Sequence, residues 1–249
     1  MITIAVYNIK GGVGKTATAV NLAYLASRQG NSTLLCDLDP QGSASYYFRI
    51  KPVKKFRNRR IFKNPRIMTR LIRATDYEGL DLLPSSFSHR KLDLILDRIK
   101  HSRQQLQAAL KPFRREYRYL FIDCPPNITL LSENIFYAAD YLLVPTIPTT
   151  LSMRTWKQLK DFFKKRGLPA KKLLPFFSMV ENRKKLHQET MAEAINQKKQ
   201  WLNGRIPYLA DIEKMGSYRA PVAALFPRSR AAQSYLRLWQ ECETVFRRG

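Results

Sequence analysis

Asn8-Ile9-Lys10-Gly11-Gly12-Val13-Gly14-Lys15-Thr16 is the stretch on which the fold turns. It follows an apolar run, Ile2 to Tyr7, that reads as a buried strand, and precedes Ala17 to Ser27, which reads as a helix. A phosphate-binding loop requires that strand–glycine loop–helix context. The match to G-x-x-x-x-G-K-[ST] is loose, because a second lysine, Lys10, stands at the front of the loop. In such a loop backbone N–H groups point at phosphate oxygens, and the helix N-terminus adds partial positive charge. Lys15 is then the contact to the β- and γ-phosphates, and the Thr16 hydroxyl is a Mg²⁺ ligand. A glycine-rich turn that merely carries lysines would not need strand, loop and helix in register.

Two further apolar runs end in carboxylates. One is Leu34-Leu35-Cys36-Asp37-Leu38-Asp39-Pro40-Gln41-Gly42, the other Leu120-Phe121-Ile122-Asp123-Cys124-Pro125-Pro126. Ligands of open α/β sheets sit at the carboxyl ends of strands, so all three acids fall where a nucleotide and its metal would lie. A lone Asp at a strand tip is as easily a helix cap or turn former. Three of them behind a phosphate loop favour chemistry.

Strands are expected at 2–7, 33–37, 80–83, 118–123, 141–145, 173–179 and 205–208. Helices are expected at 14–28, 88–110, 129–138, 152–166, 186–202 and 229–246. Alternating β and α with apolar strands predicts an α/β fold, a mostly parallel sheet covered by helices on both faces. With no repeat and no Gly, Pro or Ser-rich linker, residues 1–249 read as one domain. The last helix carries Tyr235, Leu236, Trp239, Cys242 and Phe246 at three-to-four spacing. It would either lie on a membrane surface or pack on the sheet, and packing is expected.

The two-lysine loop, D-L-D-P-Q-G and I-D-C-P-P together resemble the ParA/MinD family of deviant Walker A ATPases, and its ParA branch in particular. The likeness extends over 75–86, 134–148, 179–186 and 227–235 and is weakest over 49–70. It implies a P-loop NTPase fold, ATP and Mg²⁺ as cofactors, and weak basal hydrolysis by a dimer that forms when ATP binds. By that resemblance Lys10 reaches across the dimer to the partner's nucleotide, and Lys10, Lys15 and Asp39 are the catalytic set. Asp39 orients the attacking water. Asp37 supports the metal, and Asp123 holds Mg²⁺ through water, with Thr16. Gly11, Gly12, Val13, Gly14, Lys15, Thr16 and Ala17, with Pro207 from the C-terminal part, form the nucleotide set. One departure stands out: where ParA proteins usually read I-P-R-N-V-R, this chain has Ile206-Pro207-Tyr208-Leu209-Ala210-Asp211. Arginines implicated in DNA contact are therefore missing there, although Arg183 matches another DNA-facing position.

Charge points to the same partner. The chain has 44 Lys+Arg against 19 Asp+Glu, a formal charge of +25, and such an excess is a footprint for polyanions. From Arg49 to Arg73 there are eleven basic residues and no acid, with Phe56 and Phe62 interleaved. Lys54, Lys55, Arg57, Arg59 and Arg60 are the expected contacts in that run. Arg154 to Lys172 holds a second cluster, and Arg219, Arg228 and Arg230 belong to a third. A charge run is usually a solvated face, but eleven to none on a chain this basic favours nucleic acid. No helix-turn-helix or zinc spacing is present to read bases, so sequence-independent phosphate binding is expected.

The expected partners are thus a second copy of the chain, non-specific DNA and a ParB-like or analogous adaptor that stimulates hydrolysis and release. Cys36, Cys124 and Cys242 make no C-x-x-C pair or disulfide framework. His89, His101 and His187 suggest no metal site. No apolar run reaches 18 residues and the chain enters its first strand at once, so a cytoplasmic, nucleoid-associated protein without a membrane span is expected. A MinD-like membrane-associated regulator, a DNA-coating protein with little turnover and a reductase of the nitrogenase-iron-protein type remain open as alternatives.

Overall fold

The strands of this chain are apolar at nearly every position, and only a sheet covered on both faces suits them. In the computed structural model, which describes residues 1–52, 65–86, 92–99, 102–197 and 201–248, seven strands form one sheet. They are β1 (Ile2–Val6), β2 (Thr33–Asp37), β3 (Arg73–Ala74), β4 (Leu80–Leu83), β5 (Tyr119–Asp123), β6 (Tyr141–Thr146) and β7 (Leu173–Phe177). Their spatial order is β3-β4-β2-β5-β1-β6-β7, and only the two-residue β3 runs antiparallel, against β4. β1, which carries the glycine loop, lies between β5 and β6.

Successive side chains of a strand point to opposite faces, and the packing follows that period. Ala5 and Tyr7 join Leu34, Leu120, Ile122 and Phe136 in one core. Ile4 and Val6 join Leu22, Leu35, Phe121 and Trp239 in the other. The first core is covered by α4 (Leu92–Asp97), α5 (Gln105–Leu110), α6 (Leu130–Ala138) and α7 (Thr150–Lys165). The second is covered by α1 (Lys15–Arg28) and the long C-terminal helix (Arg230–Arg248). That helix buries Tyr235, Leu238, Trp239, Cys242 and Phe246, and the Trp239 indole N–H donates to Gln29 Oε1 at 2.8 Å. Truncating such a tryptophan to alanine costs about 3–5 kcal/mol. Its apolar stripe is spent on the sheet, so the packing alternative holds.

Three expectations fail. Residues 205–208 form no strand: Pro207 makes a single parallel bridge with Val180, closed by the Val180 N–H on the Ile206 carbonyl and the Tyr208 N–H on the Val180 carbonyl. The single helix expected over 88–110 is interrupted, with α4 and α5 separated by a turn after Asp97. Polar contacts with α6 explain the break. Asp93 accepts from the Leu131 N–H, whereas Asn134 accepts from the Leu106 N–H and donates to the Ser102 carbonyl, so two separate segments are held on α6. The third is an omission of short helices. These are α2 (Ser43–Tyr47), α3 (Pro65–Leu71), α9 (Ala210–Tyr218) and α10 (Val222–Leu225), while α8 (Lys185–Gln197) and α11 (Arg230–Arg248) match expectation. The helix expected to run to 202 is described to Gln197.

Candidate nucleotide site

The glycine loop is held open from below. Asn8, buried at the end of β1, donates through Nδ2 to the Pro145 carbonyl and accepts through Oδ1 from the Lys10 N–H, at 2.8 and 2.9 Å. Gly14 caps α1 in the left-handed region, φ 86°, and a Cβ there would lie 3.1 Å from Ser178 Oγ. Any other residue would meet both the strain, roughly 1–2 kcal/mol for a left-handed L-residue, and that contact. Lys15 is buried and its Nζ donates to the Lys10 carbonyl at 3.1 Å. Burial lowers its pKa, and the carboxylates of Asp123 and Asp39 with the Cys124 thiol partly offset this. The Nζ of Lys10 lies 3.5 Å from Ser152 Oγ in the first turn of α7.

The carboxylates converge from neighbouring strands. β2 and β5 are paired in parallel with Asp37 beside Asp123, and both are fully buried. Asp37 Oδ2 accepts from the Ser45 N–H and hydroxyl at 2.8 and 2.7 Å. Its Oδ1, and both oxygens of Asp123, have no hydrogen-bond partner among the described residues. The Thr16 hydroxyl faces Asp123 and favours its charged form, without the geometry of a closed hydrogen bond. Burial is the main force raising both acids. Asp37 goes up to about 7, with the Ser45 bonds opposing, the Asp39 carboxylate adding to the rise and the Asp39 backbone N–H working against it. Asp123 goes well above the usual carboxylate range, with Asp37 as the main charge beside it. Buried carboxylate oxygens without donors demand a cation or its water. Among the described residues no group of three or more His, Cys, Asp or Glu is placed to hold an ion unaided. A Mg²⁺ shared with nucleotide phosphates, bound through one or two carboxylates and waters, fits that arrangement.

Asp39 is half-buried, and its Oδ1 accepts from the Gln41 N–H at 2.9 Å. It lines a cleft of about 480 Å³ with Gln41, Asp93, Pro125, Pro126 and Asn127. Cys36, Cys124 and Cys242 are buried free thiols, each pushed up chiefly by burial. His187 is a buried core histidine whose Nδ1 accepts from the Glu181 N–H.

A second concavity, about 810 Å³, opens beside Pro207, between the residues after β7, α8 and α11. Arg205, Arg228, Arg230 and Arg237 line it with Asn182 and Gln233, and among the described residues no acid does. None of the four forms an ion pair with a described residue. Arg228 and Arg230 are expected contacts from sequence and Arg237 belongs to the same C-terminal basic cluster; Arg205, far from them in the chain, is not anticipated. Arg183 is exposed on the turn next to Asn182. Arg219 stands elsewhere, its guanidinium 4.5 Å from the Tyr46 ring and donating to the Tyr46 carbonyl. Arg49 answers it by donating to the Tyr218 carbonyl and pairing with Asp76. Lys54, Lys55, Arg57, Arg59 and Arg60 lie outside the described residues.

The structure therefore gathers Lys10, Gly11–Ala17, Asp37, Asp39 and Asp123 at the carboxyl end of the sheet and places Pro207 at its edge. Sequence reading missed Asn8, Ser45, Ser85 and Ser152, small polar residues whose roles come from distant partners. Comparison with known proteins points the same way. Residues 1–173 match the family described as an AAA domain. The chromosome partitioning protein ParA of Myxococcus xanthus is 30% identical over 246 residues, covering 96% of this chain and 86% of that one. The sporulation initiation inhibitor Soj of Bacillus subtilis is 28% identical, covering 96% of both. A Borrelia burgdorferi plasmid partition protein bound to AMPPNP superposes with a TM-score of 0.81 at 22% identity, covering 98% of both chains. The septum site-determining protein MinD of Pyrococcus horikoshii, complexed with Mg-ADP, does so with a TM-score of 0.76 at 19% identity, covering 97% of this chain and 95% of that one. With its two-lysine loop and paired strand-end aspartates, this chain belongs to the ParA/MinD family of P-loop ATPases.

Proposed function

We propose that this single-domain protein is a ParA-type positioning ATPase, working in the cytoplasm on the nucleoid. It binds ATP and Mg²⁺, pairs with a second copy, binds DNA without sequence preference in that state, and is released when a ParB-like or analogous adaptor stimulates hydrolysis. The observation that carries this reading is the buried cluster of three unpartnered carboxylate oxygens beside a two-lysine phosphate loop.

The loop N–H groups from Gly11 to Ala17 and the Lys15 ammonium bind the phosphates. Lys15 releases its contact to the Lys10 carbonyl in doing so, exchanging a neutral acceptor for an anionic one. Thr16, Asp37 and Asp123 would hold Mg²⁺, which when bound would neutralise charge on the nucleotide phosphates. Asp39, half-exposed on the cleft, positions a water and accepts its proton. Lys10 supplies positive charge to the partner's site where negative charge gathers in the transition state. Hydrolysis removes the γ-phosphate that bridges the subunits, which dismisses the DNA because affinity depends steeply on the number of phosphates neutralised.

The unpaired arginines around the second concavity support nucleic acid as the partner. The burial of the apolar face of α11 against the sheet disfavours a membrane-surface role, and among the described residues no helix is long and apolar enough to cross a membrane. The experiment is Asp39→Ala. It should bind ATP nearly as wild type, release no phosphate and stay on DNA after free protein is washed away. Rapid ATP-dependent exchange of this variant off DNA would overturn the reading.

A further inference from the structure

Asp37 is useful to a metal in one orientation only, with one oxygen left free on the strand position beside Asp123. Two serines fix that orientation. Ser45 enters from the first turn of α2, directly after the D-L-D-P-Q-G loop, and is fully buried. It gives both its N–H and its hydroxyl hydrogen to Asp37 Oδ2. Its oxygen in turn accepts from the Ser85 N–H at 2.9 Å. That last bond settles the direction of the chain of donors: with Ser85 N–H on its lone pair, the single Ser45 proton is directed at the carboxylate. Ser85 also donates through Oγ to the Asp39 carbonyl at 2.5 Å. The segment after β4 is thereby tied both to the metal-site acid, through Ser45, and to the backbone of the water-positioning acid.

We propose that Ser45 is the positioning residue of the metal site: by saturating Asp37 Oδ2 it leaves Oδ1 as the free acceptor that, with Asp123, receives Mg²⁺ or its water. The proposal rests on the Mg²⁺–ATP reading of the site. It predicts a particular defect. Removing the Ser45 hydroxyl leaves Oδ2 one donor short and the buried Ser85 N–H without an acceptor, so the carboxylate can turn and the free oxygen is no longer held in place. Partners of this kind, one bond behind the ligand, typically account for 10–100-fold in metal affinity.

The test is binding of a fluorescent ADP analogue in EDTA and across a Mg²⁺ titration, which needs no turnover. Ser45→Ala should bind the analogue in EDTA within about twofold of wild type, while the Mg²⁺ concentration that half-completes the tightening rises about tenfold. Ser45→Cys, which keeps the volume and is a poor donor, should behave like Ser45→Ala and guards against a folding failure of the smaller residue. Ser45→Thr should restore the Mg²⁺ midpoint. An unchanged midpoint in the Ala or Cys variant overturns the positioning role, as does an equal loss of affinity with and without Mg²⁺, which would mean general loosening of the loop. A wild-type protein whose binding ignores Mg²⁺ overturns the underlying reading itself.

Discussion

Lys10 lies within its own subunit against Ser152, whose hydroxyl also accepts from Thr149 at 3.1 Å. This contact is long, and the side chain is free of any ion pair among the described residues. It can leave at small cost, unlike Lys15, whose ammonium is buried under the loop. The two lysines should therefore fail differently. Lys15→Ala should weaken nucleotide binding in the monomer. Lys10→Ala should leave monomer affinity near normal and abolish dimerisation and turnover. Mixing Lys10→Ala with Asp39→Ala subunits tests the sharing. A mixed dimer has one site with intact Asp39 that receives intact Lys10 from the other subunit, so hydrolysis should partly return where mixed dimers form, up to about a quarter of wild type if they pair as readily as wild-type subunits. Absence of recovery, with mixed dimers shown by cross-linking, would place Lys10 in its own site.

At the level of elements, α6 is the part that anchors its surroundings by polar contacts. Glu133, nearly buried on α6, takes Arg103 from before α5 at 2.7 Å and Arg166 from the end of α7 at 2.9 Å. One carboxylate thus joins three segments over the first core. Glu133→Gln cannot satisfy two guanidinium groups, and charge-assisted bonds of this sort are worth about 1.5–3 kcal/mol. The expected outcome is a loss of about 2 kcal/mol in denaturant unfolding, with Lys15-dependent nucleotide binding retained. A change under about 0.5 kcal/mol would class the pair of bridges with exposed ones. Elements built on a continuous apolar period, such as β1, β2, β5 and α11, are legible in the sequence because their own residues decide them. The break between α4 and α5 is not, because Asp93 and Asn134 act through partners more than twenty residues away. α2 is hidden for a similar reason. Its five residues carry no periodic signal, and its start is set by Gly42 in the left-handed region and by Ser45 on Asp37. The phosphate loop and the three aspartates stand out in the sequence as motifs that the fold then brings together. The serines that orient them do not, since a lone Ser near a strand end has many uses.

Across the whole molecule the charge of +25 is organised as well as abundant. The concavity brings together arginines from positions 205, 228, 230 and 237, with no acid among the described residues of its lining. Replacing these four by Gln should flatten the dependence of log K for DNA on log salt by about one unit for each phosphate no longer neutralised. Binding of ATP should be unchanged. An unaltered slope would assign the DNA surface to other basic residues, Lys54 to Arg60 foremost.

The strand order has a consequence for how the chain is made. β1 is synthesised before the other six strands of the sheet, yet its neighbours are β5 and β6, with Ile2 beside Tyr119 and Ile4 beside Tyr141. Tyr119 lies 117 residues after Ile2 (119 − 2), so all of that chain must be synthesised before the strand bearing the phosphate loop finds either partner. Until then an apolar edge waits in a growing polypeptide, and pairing at such separation is slow because a long loop must close first. The nucleotide pocket therefore closes only when strands made much later reach the one that carries its loop.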